Sequence, residues 1–323
     1  MKLGVFSPVL ADMSFKDMVE YLSKLGIQQL EMGAGGYPGK AHFDPEVLLK
    51  SDTAIDEIKG ILKDNNMSIS AISCHGNPVH PDKQIALNYH NDFNNAVLLA
   101  EKLGIDTIVG FSGCPGDSEN SIRPNWVTCS WPPDFLDTLN WQWDKVLIPY
   151  WQKETQFCKE HGITKIAFEM HPGFCVYNTS SMLKIREAVG DILGANVDPS
   201  HLLWQGMDPV EVIKELGKHN AIHHFHAKDT KIDAVNTGIN GVLDVGHYGS
   251  ILNRSWVFRT VGYGNGKELW NSIISTLKAV GYDGVISIEH EDSLMSAKEG
   301  LEKAISFLKD VIIFENPGEM WWA

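Results

Sequence analysis

Short apolar runs of strand type alternate with amphipathic helical runs eight times along the 323 residues of this chain. No linker or low-complexity stretch interrupts the alternation. Eight strand-then-helix units predict an α/β fold, a single (β/α)₈ TIM barrel over residues 1–323 with long loops after strands four and seven. A doubly wound open sheet normally has fewer strands and a glycine-rich turn after the first one. The first turn here, SPVLADMS, lacks that feature, so the barrel is favoured.

The predicted elements are short strands and longer amphipathic helices. The predicted strands are Leu3–Phe6, Gln28–Met32, Ser68–Cys74, Asp106–Phe111, Lys165–Glu169, Ala195–Asp198, Ala221–Ala227 and Gly284–Glu289. The predicted helices are Phe15–Leu25, Ala54–Asp64, Gln84–Leu103, Gln142–Glu160, Ser181–Val189, Pro209–Leu216, Glu268–Val280 and Ala297–Ile312. The remaining long segments are predicted as loops: a glycine-rich one after Met32, then Ser112–Thr138 and Lys228–Gly266. Loops this long inside a compact domain are usually functional.

Composition narrows the classes of partner. The net charge is −14, from 27 basic and 41 acidic residues, and a field of that sign repels nucleic acid and anionic membranes. We expect no membrane span and no signal peptide, because no apolar run has the length for either. The five cysteines show no paired spacing, which favours a reducing compartment. The composition therefore predicts a cytoplasmic protein with a small-molecule substrate. Barrels with apolar termini often pair, so a homo-oligomer stays open.

Polar side chains end six of the predicted strands. In a (β/α)₈ barrel the active site lies at this end of the strands. The six residues are Glu31, His75, Glu169, Asp198, His226 and Glu289. Strand alternation turns Ser287 and Glu289 toward the barrel axis, and it places His224 below His226 on the inner face. Pro199 restricts the residue before it to extended conformations, so Asp198 is expected to end a strand, with His201 in the loop that follows.

Four of these residues come from four successive strands: Glu169, Asp198, His226 and Glu289. Three carboxylates and one imidazole suit Mn²⁺, Mg²⁺, Co²⁺ or Zn²⁺, and the oxygen-rich set leans toward Mn²⁺. Without a cation these inward groups would repel one another at a large desolvation cost. Each residue alone could instead be a helix cap or the partner of a lysine or arginine. Their common position at one end of the barrel favours one divalent metal site.

Other residues are candidates for substrate contact. His75 and His201 are either substrate ligands or hydrogen-bonded loop histidines. Arg259, in a glycine-rich loop, either binds an oxyanion or phosphate or is a solvated surface arginine. Glu31 either caps the glycine loop or belongs to the site. Four tryptophans cluster after strand four: Trp126, Trp131, Trp141 and Trp143. They either stack on sugar rings or pack the loop, and packing is favoured for Trp141 and Trp143.

Six motifs in their order along the chain resemble the sugar phosphate isomerase/epimerase group of the xylose isomerase-like TIM barrel superfamily. The motifs are CHGNP, SGCPGD, FEMHPG, VDPSHLLWQG, HFHAKDT and ISIEHED. The resemblance implies that the Glu, Asp, His and Glu of strands five to eight hold the metal. It also implies that His201, three residues after the Asp, and Arg259 contact substrate. The apurinic-site endonuclease branch of the superfamily holds three metals and binds DNA, and the acidic balance of this chain argues against that branch.

The resemblance also implies the chemistry. A divalent cation chelated by a carbonyl and an adjacent hydroxyl stabilises an enediolate. Glu169 and Glu289 would flank the reacting carbon of a keto-sugar, one removing the proton and the other returning it, with His75 and Trp131 shaping the pocket. An isomerase or epimerase results. The alternatives are a dehydratase or lyase of inosose or 3-keto-glycoside type using the same enediolate, and a non-catalytic sugar-binding barrel or complex subunit.

Overall fold

Eight parallel strands close into a barrel in the computed structural model, which describes residues 1–322. The barrel strands are β1 (Lys2–Phe6), β2 (Gln29–Gly36), β3 (Ser68–His75), β4 (Thr107–Gly110), β5 (Lys165–Glu169), β6 (Leu193–Val197), β7 (Ile222–Ala227) and β10 (Val285–Ile288). A separate antiparallel hairpin is formed by β8 (Asp229–Ile232) and β9 (Trp256–Arg259). Successive barrel strands are neighbours, and β10 closes the ring between β7 and β1. The predicted (β/α)₈ barrel is confirmed.

Helices surround the barrel, and all but α5 and α10 bury residues against it or its loops. They are α1 (Phe15–Lys24), α2 (Pro45–Leu48), α3 (Asp52–Asp64), α4 (Lys83–Leu103), α5 (Pro133–Trp141), α6 (Ile148–Glu160), α7 (Thr179–Val189), α8 (Pro199–Trp204), α9 (Pro209–Lys218), α10 (Ala234–Asn240), α11 (Lys267–Ala279) and α12 (Ala297–Val311). Helix α1 is an example of how these helices begin and pack. The side chain of Ser14 caps it by accepting a hydrogen bond from the Asp17 amide, and Met18, Val19 and Leu22 pack into the core.

The inner face of the barrel carries small apolar residues below the polar ones. Ala71, Val109 and Ala167 form an apolar cluster of their own on β3, β4 and β5. Four residues further along β3 comes His75, and two residues further along β5 comes Glu169, both buried. Side chains an even number of residues apart on a strand share a face, so these polar residues lie above the apolar cluster, at the C-terminal end of the barrel.

The glycine-rich segment after Met32 is predicted as a loop, and this prediction is wrong for its first four residues, Gly33–Gly36, and right for residues 37–44. Strand β2 continues through it to Gly36, which pairs with His75 of β3. Gly36 has φ +71°, and a Cβ there would lie only 1.9 Å from the carbonyl oxygen of His75. Only glycine allows two strands to approach this closely, so the glycine belongs to the sheet.

The prediction that Asp198 ends a strand without starting a helix is also wrong. Strand β6 ends at Val197, and Asp198 is the N-cap of the short helix α8. Its Oδ1 accepts a hydrogen bond from the Ser200 amide at 2.8 Å. Pro199 occupies the first helical position, where its fixed φ and missing N–H cost nothing. His201 consequently lies inside α8 and not in a loop.

Both long segments contain more structure than predicted. Helix α5 begins at Pro133, within the predicted loop Ser112–Thr138. The segment Lys228–Gly266 contains the β8–β9 hairpin and α10. Asp229 organises the end of that segment: its Oδ2 accepts from the backbone amides of Gly262 and Asn265, at 3.1 and 2.9 Å. A single buried carboxylate therefore folds a stretch that shows neither helical nor strand periodicity.

No helix within residues 1–322 is long and apolar enough to cross a membrane. All five cysteines lie in this range and are free thiols, four of them buried.

Candidate metal centre and its adjoining cavities

Four side chains from four successive barrel strands converge at the C-terminal end of the barrel. Glu169 is the last residue of β5, Asp198 follows β6, His226 lies in β7 and Glu289 follows β10. One ligand atom from each lies within 4.8 Å of the others. The structure thus brings together the four residues predicted as metal ligands. Oδ2 of Asp198 is buried, and its near neighbours are Nζ of Lys228 at 3.2 Å and Nε2 of His201 at 3.4 Å, neither in hydrogen-bond geometry. A buried carboxylate oxygen among positive or polar nitrogens fits an oxygen that coordinates a cation. Three carboxylates and one imidazole fit a hard or borderline divalent ion.

Glu31 holds His226 in place from across the barrel. Both of its carboxylate oxygens lie close to Nε2 of His226, at 2.9 and 3.0 Å. Ser287 donates to the same carboxylate at 2.6 Å. Burial opposes ionisation of Glu31, but the imidazoles of His226 and His224 outweigh it and hold the pKa of this carboxyl well below its usual range. With Nε2 donating to Glu31, Nδ1 of His226 faces the other three ligands, as in a carboxylate–histidine–metal arrangement.

Histidines flank both oxygens of Glu169. Nε2 of His201 lies 3.0 Å from Oε1, and Nε2 of His75 lies 3.2 Å from Oε2. Nδ1 of His226 is 3.4 Å from Oε2 as well. Burial opposes the charge, yet these imidazoles hold the pKa of Glu169 well below its usual range. The carboxylate is therefore ionised at neutral pH and able to accept a proton.

Lys228 is a buried cation at this site that the sequence argument did not count. Its side chain is 2% exposed. Its Nζ lies 2.7 Å from Oε2 of Glu289, 3.2 Å from Oδ2 of Asp198 and 3.1 Å from Oε2 of Glu291. Burial alone would lower the pKa of Lys228, but the carboxylates of Asp198 and Glu289 hold it well above its usual value. Part of the repulsion assigned to the acidic cluster is thus already neutralised by the protein.

Replacing Lys228 with methionine is expected to destabilise the metal-free protein by about 3–5 kcal/mol, because a buried ion pair loses one partner. A divalent cation should then restore more stability than it adds to the wild type. Thermal unfolding with EDTA and with Mn²⁺ measures both effects. Lys231→Met, three residues away and exposed, is the control and should change neither. Equal metal-induced shifts in wild type and Lys228→Met would contradict this account of Lys228.

Two other predicted site residues are not brought to the cluster. Arg259 lies in strand β9 and not in a glycine loop, and its Nε donates to Asp292 at 3.0 Å. Trp131 is 72% exposed. Among the described residues that line the three cavities below, neither Arg259 nor Trp131 occurs. Both positions depend on how the long segments fold, which their local sequence does not reveal.

Sequence reasoning left three site residues unassigned, and the strand periodicity contained the information for two of them. Lys228 continues the inward series of His224 and His226 by two residues. His171 continues the series of Glu169 in the same way, and its ring centroid lies 4.1 Å from that of His201. Glu31, whose role the sequence leaves open, lies on β2, which is predicted to end at Met32 but continues to Gly36.

Three cavities adjoin the cluster. The first, of about 260 Å³, is lined by Glu169, Glu289 and His75 together with Phe6 and Phe111. The second, of about 360 Å³, has His171 and His201 in its wall together with five aromatic residues, Trp126, Trp204, Tyr248, Trp256 and Phe258. The third, of about 520 Å³, shares His290 and Glu291 with the first and Tyr248 and Phe258 with the second. The three cavities are therefore neighbours at the mouth of the barrel.

Known proteins share this chain's sequence pattern. Residues 19–311 match the family model described as xylose isomerase-like TIM barrel. The "uncharacterized protein YfiH" of Bacillus subtilis (strain 168) is 37% identical over 314 residues, which make up 97% of this chain and 99% of that protein.

Solved structures share the fold at lower identity. The IolI protein, solved with a bound zinc atom, has a TM-score of 0.65 at 20% identity, over 97% of this chain and 98% of that one. The probable 3-DHS dehydratase AsbF of Bacillus anthracis has a TM-score of 0.64 at 18% identity, over 96% and 99%. The D-psicose 3-epimerase of Clostridium cellulolyticum H10, solved with D-tagatose, has a TM-score of 0.62 at 15% identity, over 96% and 98%.

Proposed function

The chain belongs to the xylose isomerase-like TIM barrel family, and from that premise we propose that it is a divalent-metal-dependent enzyme that moves a proton beside the carbonyl group of a sugar or sugar derivative. The observation that carries the proposal is that two ionised carboxylates, Glu169 and Glu289, line one cavity and also border the candidate metal centre. An isomerase or epimerase is the activity we favour. The acidic chain and the small cavity support a small-molecule substrate and argue against nucleic acid.

The chain's own residues supply the proton transfers. Glu169 is held ionised between His201 and His75, so it is the group we assign to remove the proton. Glu289 lies 3.1 Å from Nδ1 of His226 and 2.7 Å from Nζ of Lys228. We assign to it the return of a proton, which it first takes up from the ammonium of Lys228; Glu169 then gives its proton to solvent and Lys228 regains one from solvent. A cation bound by Glu169, Asp198, His226 and Glu289 would draw electron density from the substrate carbonyl and stabilise the enediolate. The oxygen-rich donor set supports Mn²⁺.

The same proton removal can end in elimination. If the oxygen on the next carbon leaves with its electron pair and takes up a proton, a carbon–carbon double bond forms and the enzyme is a lyase. The observation in favour of this second candidate is the aromatic second cavity, which has room for a leaving group beside the first. A non-catalytic sugar-binding barrel is the remaining alternative, and it predicts binding without exchange.

Proton exchange in D₂O tests the proposal directly. The purified chain, supplied with Mn²⁺, Co²⁺, Zn²⁺ or Mg²⁺, is incubated with ketoses, inososes and 3-keto-glycosides, and deuterium uptake is followed by NMR. We expect at least one class to exchange its α-proton on the order of 100-fold faster than with EDTA. Recovery of an altered stereocentre identifies an epimerase, whereas release of a second product identifies a lyase. No metal-dependent exchange with any compound would refute the proposed function.

A further inference from the structure

The second cavity has aromatic walls. The rings of Trp204 and Trp256 stack 4.5 Å apart at an interplanar angle of 7°. Tyr248 and Phe258 stack at 5.9 Å and 17°. We call the cavity lined by these four residues and Trp126 the aromatic cavity. The guanidinium of Arg254, which is buried, lies 4.3 Å from the centroid of the Tyr248 ring and helps to fix this wall. Flat rings with an apolar face, such as sugars and arenes, stack on walls of this kind.

Two indole N–H groups at the aromatic cavity have no acceptor. Trp204 is 6% exposed, and within residues 1–322 neither its Nε1 nor that of Trp126 has a hydrogen-bond partner, although both atoms are buried. A buried donor without a partner costs free energy, so such groups are usually satisfied by something. Two donors between aromatic faces fit the hydroxyl or ring oxygens of a ligand.

The charge of the aromatic cavity disfavours an anion. Among its described lining residues there is no lysine or arginine, and Asp244 is the charged side chain present. The Asp244 carboxylate is already occupied, since it accepts from the amides of Ser255 at 2.6 Å and Gly246 at 2.7 Å. The nearest cations, Arg254 and Lys228, lie against the rings of Tyr248 and Phe258 and are not among the lining residues, and burial lowers the pKa of the lining His171 and His201. The lining therefore fits an uncharged ligand better than a phosphate or carboxylate.

The aromatic cavity and the candidate metal centre share a wall. His201, whose Nε2 is 3.0 Å from Glu169, lines the aromatic cavity on its other side, together with His171. The third cavity shares Tyr248 and Phe258 with the aromatic cavity, and His290 and Glu291 with the cavity that contains Glu169 and Glu289. These shared lining residues place the aromatic cavity beside a ring that lies over Glu169 and Glu289.

We propose that the aromatic cavity binds the uncharged ring attached to the reacting sugar, so that the substrate is a glycoside and neither a free monosaccharide nor a sugar phosphate. This inference rests on the proposed function, because it places the reacting ring at the metal centre. The attached ring is an aryl group or a second sugar, and both share a flat apolar face and oxygen acceptors.

Calorimetric binding to the full-length, Mn²⁺-loaded protein tests the inference without requiring turnover. The probes are the phenyl and methyl glucosides of both anomers, the disaccharides in which a second glucose is attached through either anomer, and glucose 6-phosphate. We expect a phenyl glucoside or a disaccharide to bind at least tenfold more tightly than the methyl glucoside of the same anomer. Glucose 6-phosphate should bind no more tightly than the methyl glucoside. A gain for the phenyl compound alone identifies an aryl ring, and a gain for the disaccharide alone identifies a sugar ring.

Matched variants test whether the tighter binding of the larger glucosides comes from the aromatic cavity. Trp126→Phe removes one N–H without a partner and keeps an aromatic ring, and Tyr248→Ala removes one aromatic wall. Each variant should reduce the ratio of the affinity for the larger glucoside to that for the methyl glucoside at least threefold. Trp131→Phe, in the same loop, and Tyr263→Ala, outside the aromatic cavity, should leave it unchanged. Equal binding of methyl and larger glucosides by the wild type, or an unchanged ratio in both cavity variants, would overturn the inference. Tighter binding of the larger glucosides without proton exchange would support the aromatic cavity as a binding site for the attached ring and refute the proposed function, whereas exchange without that difference in binding would refute the inference alone.

Discussion

Asp198→Ala is expected to purify without the divalent cation that the wild type retains at about one per chain. Asp198 supplies a buried carboxylate oxygen that lies 3.2 Å from Nζ of Lys228, and its removal leaves three of the four converging ligands. Because the proposed proton transfer needs the cation, activity should be lost with it. Metal content after purification without chelators, measured by mass spectrometry of the elements, checks the result.

The chain offers an unusually close control for that variant. Asp208 also precedes a proline, also caps a helix and also accepts from the amide two residues later at 2.8 Å, but it is exposed and distant from the cluster. Asp208→Ala should lose about 1 kcal/mol of stability through the cap and retain the metal. Asp198→Asn preserves the capping oxygen and should still bind the cation much more weakly than the wild type. Full metal retention by Asp198→Ala would show that the four converging residues are not a metal site.

Glu169→Gln is expected to slow proton exchange by roughly 10²–10⁴-fold at saturating metal, because the amide cannot accept the proton. The amide oxygen can still coordinate, so sugar binding by the metal-loaded variant should stay within about threefold of the wild type. Exchange rates by NMR and affinities by calorimetry separate the two quantities. Glu154→Gln, which changes a buried carboxylate on α6 outside the cavities, controls for the substitution itself.

The outcome for Glu169→Gln distinguishes three accounts of the site. Lost exchange with retained affinity supports the assignment of Glu169 as the base. Exchange at the wild-type rate would show that another group removes the proton. Loss of both exchange and metal would instead assign Glu169 to cation binding alone, and the base would then have to be sought elsewhere in the first cavity.

Much of the site followed from local sequence because two local rules coincide. A strand turns alternate residues to the same face, and a (β/α)₈ barrel aligns the C-terminal ends of all its strands. Glu169, His226 and Glu289 could be placed together from these rules without any long-range information. Lys228 and His171 obey the same rules and were missed because the inward series was not continued past the strand ends.

The partners of these residues could not be predicted, because they come from distant parts of the chain. Glu31 and His226 are 195 residues apart in sequence and lie 2.9 Å apart in the barrel. The ion pairs of Lys228 similarly join β7 to the segment after β10. Such contacts depend on the closure of the whole barrel, which sets distances that no local pattern contains.

The sequence by itself determined the barrel, its eight strands and the ring of acids and imidazoles at their ends, because periodicity and strand-end chemistry are local properties. Only the tertiary structure decided that Asp198 caps a helix, that Lys228 neutralises the acidic cluster and that Arg259 is paired with Asp292. It also decided the shape of the aromatic cavity, whose walls come from segments more than 100 residues apart. Those segments lack periodicity, so their conformation is set by packing and by buried anchors such as Asp229.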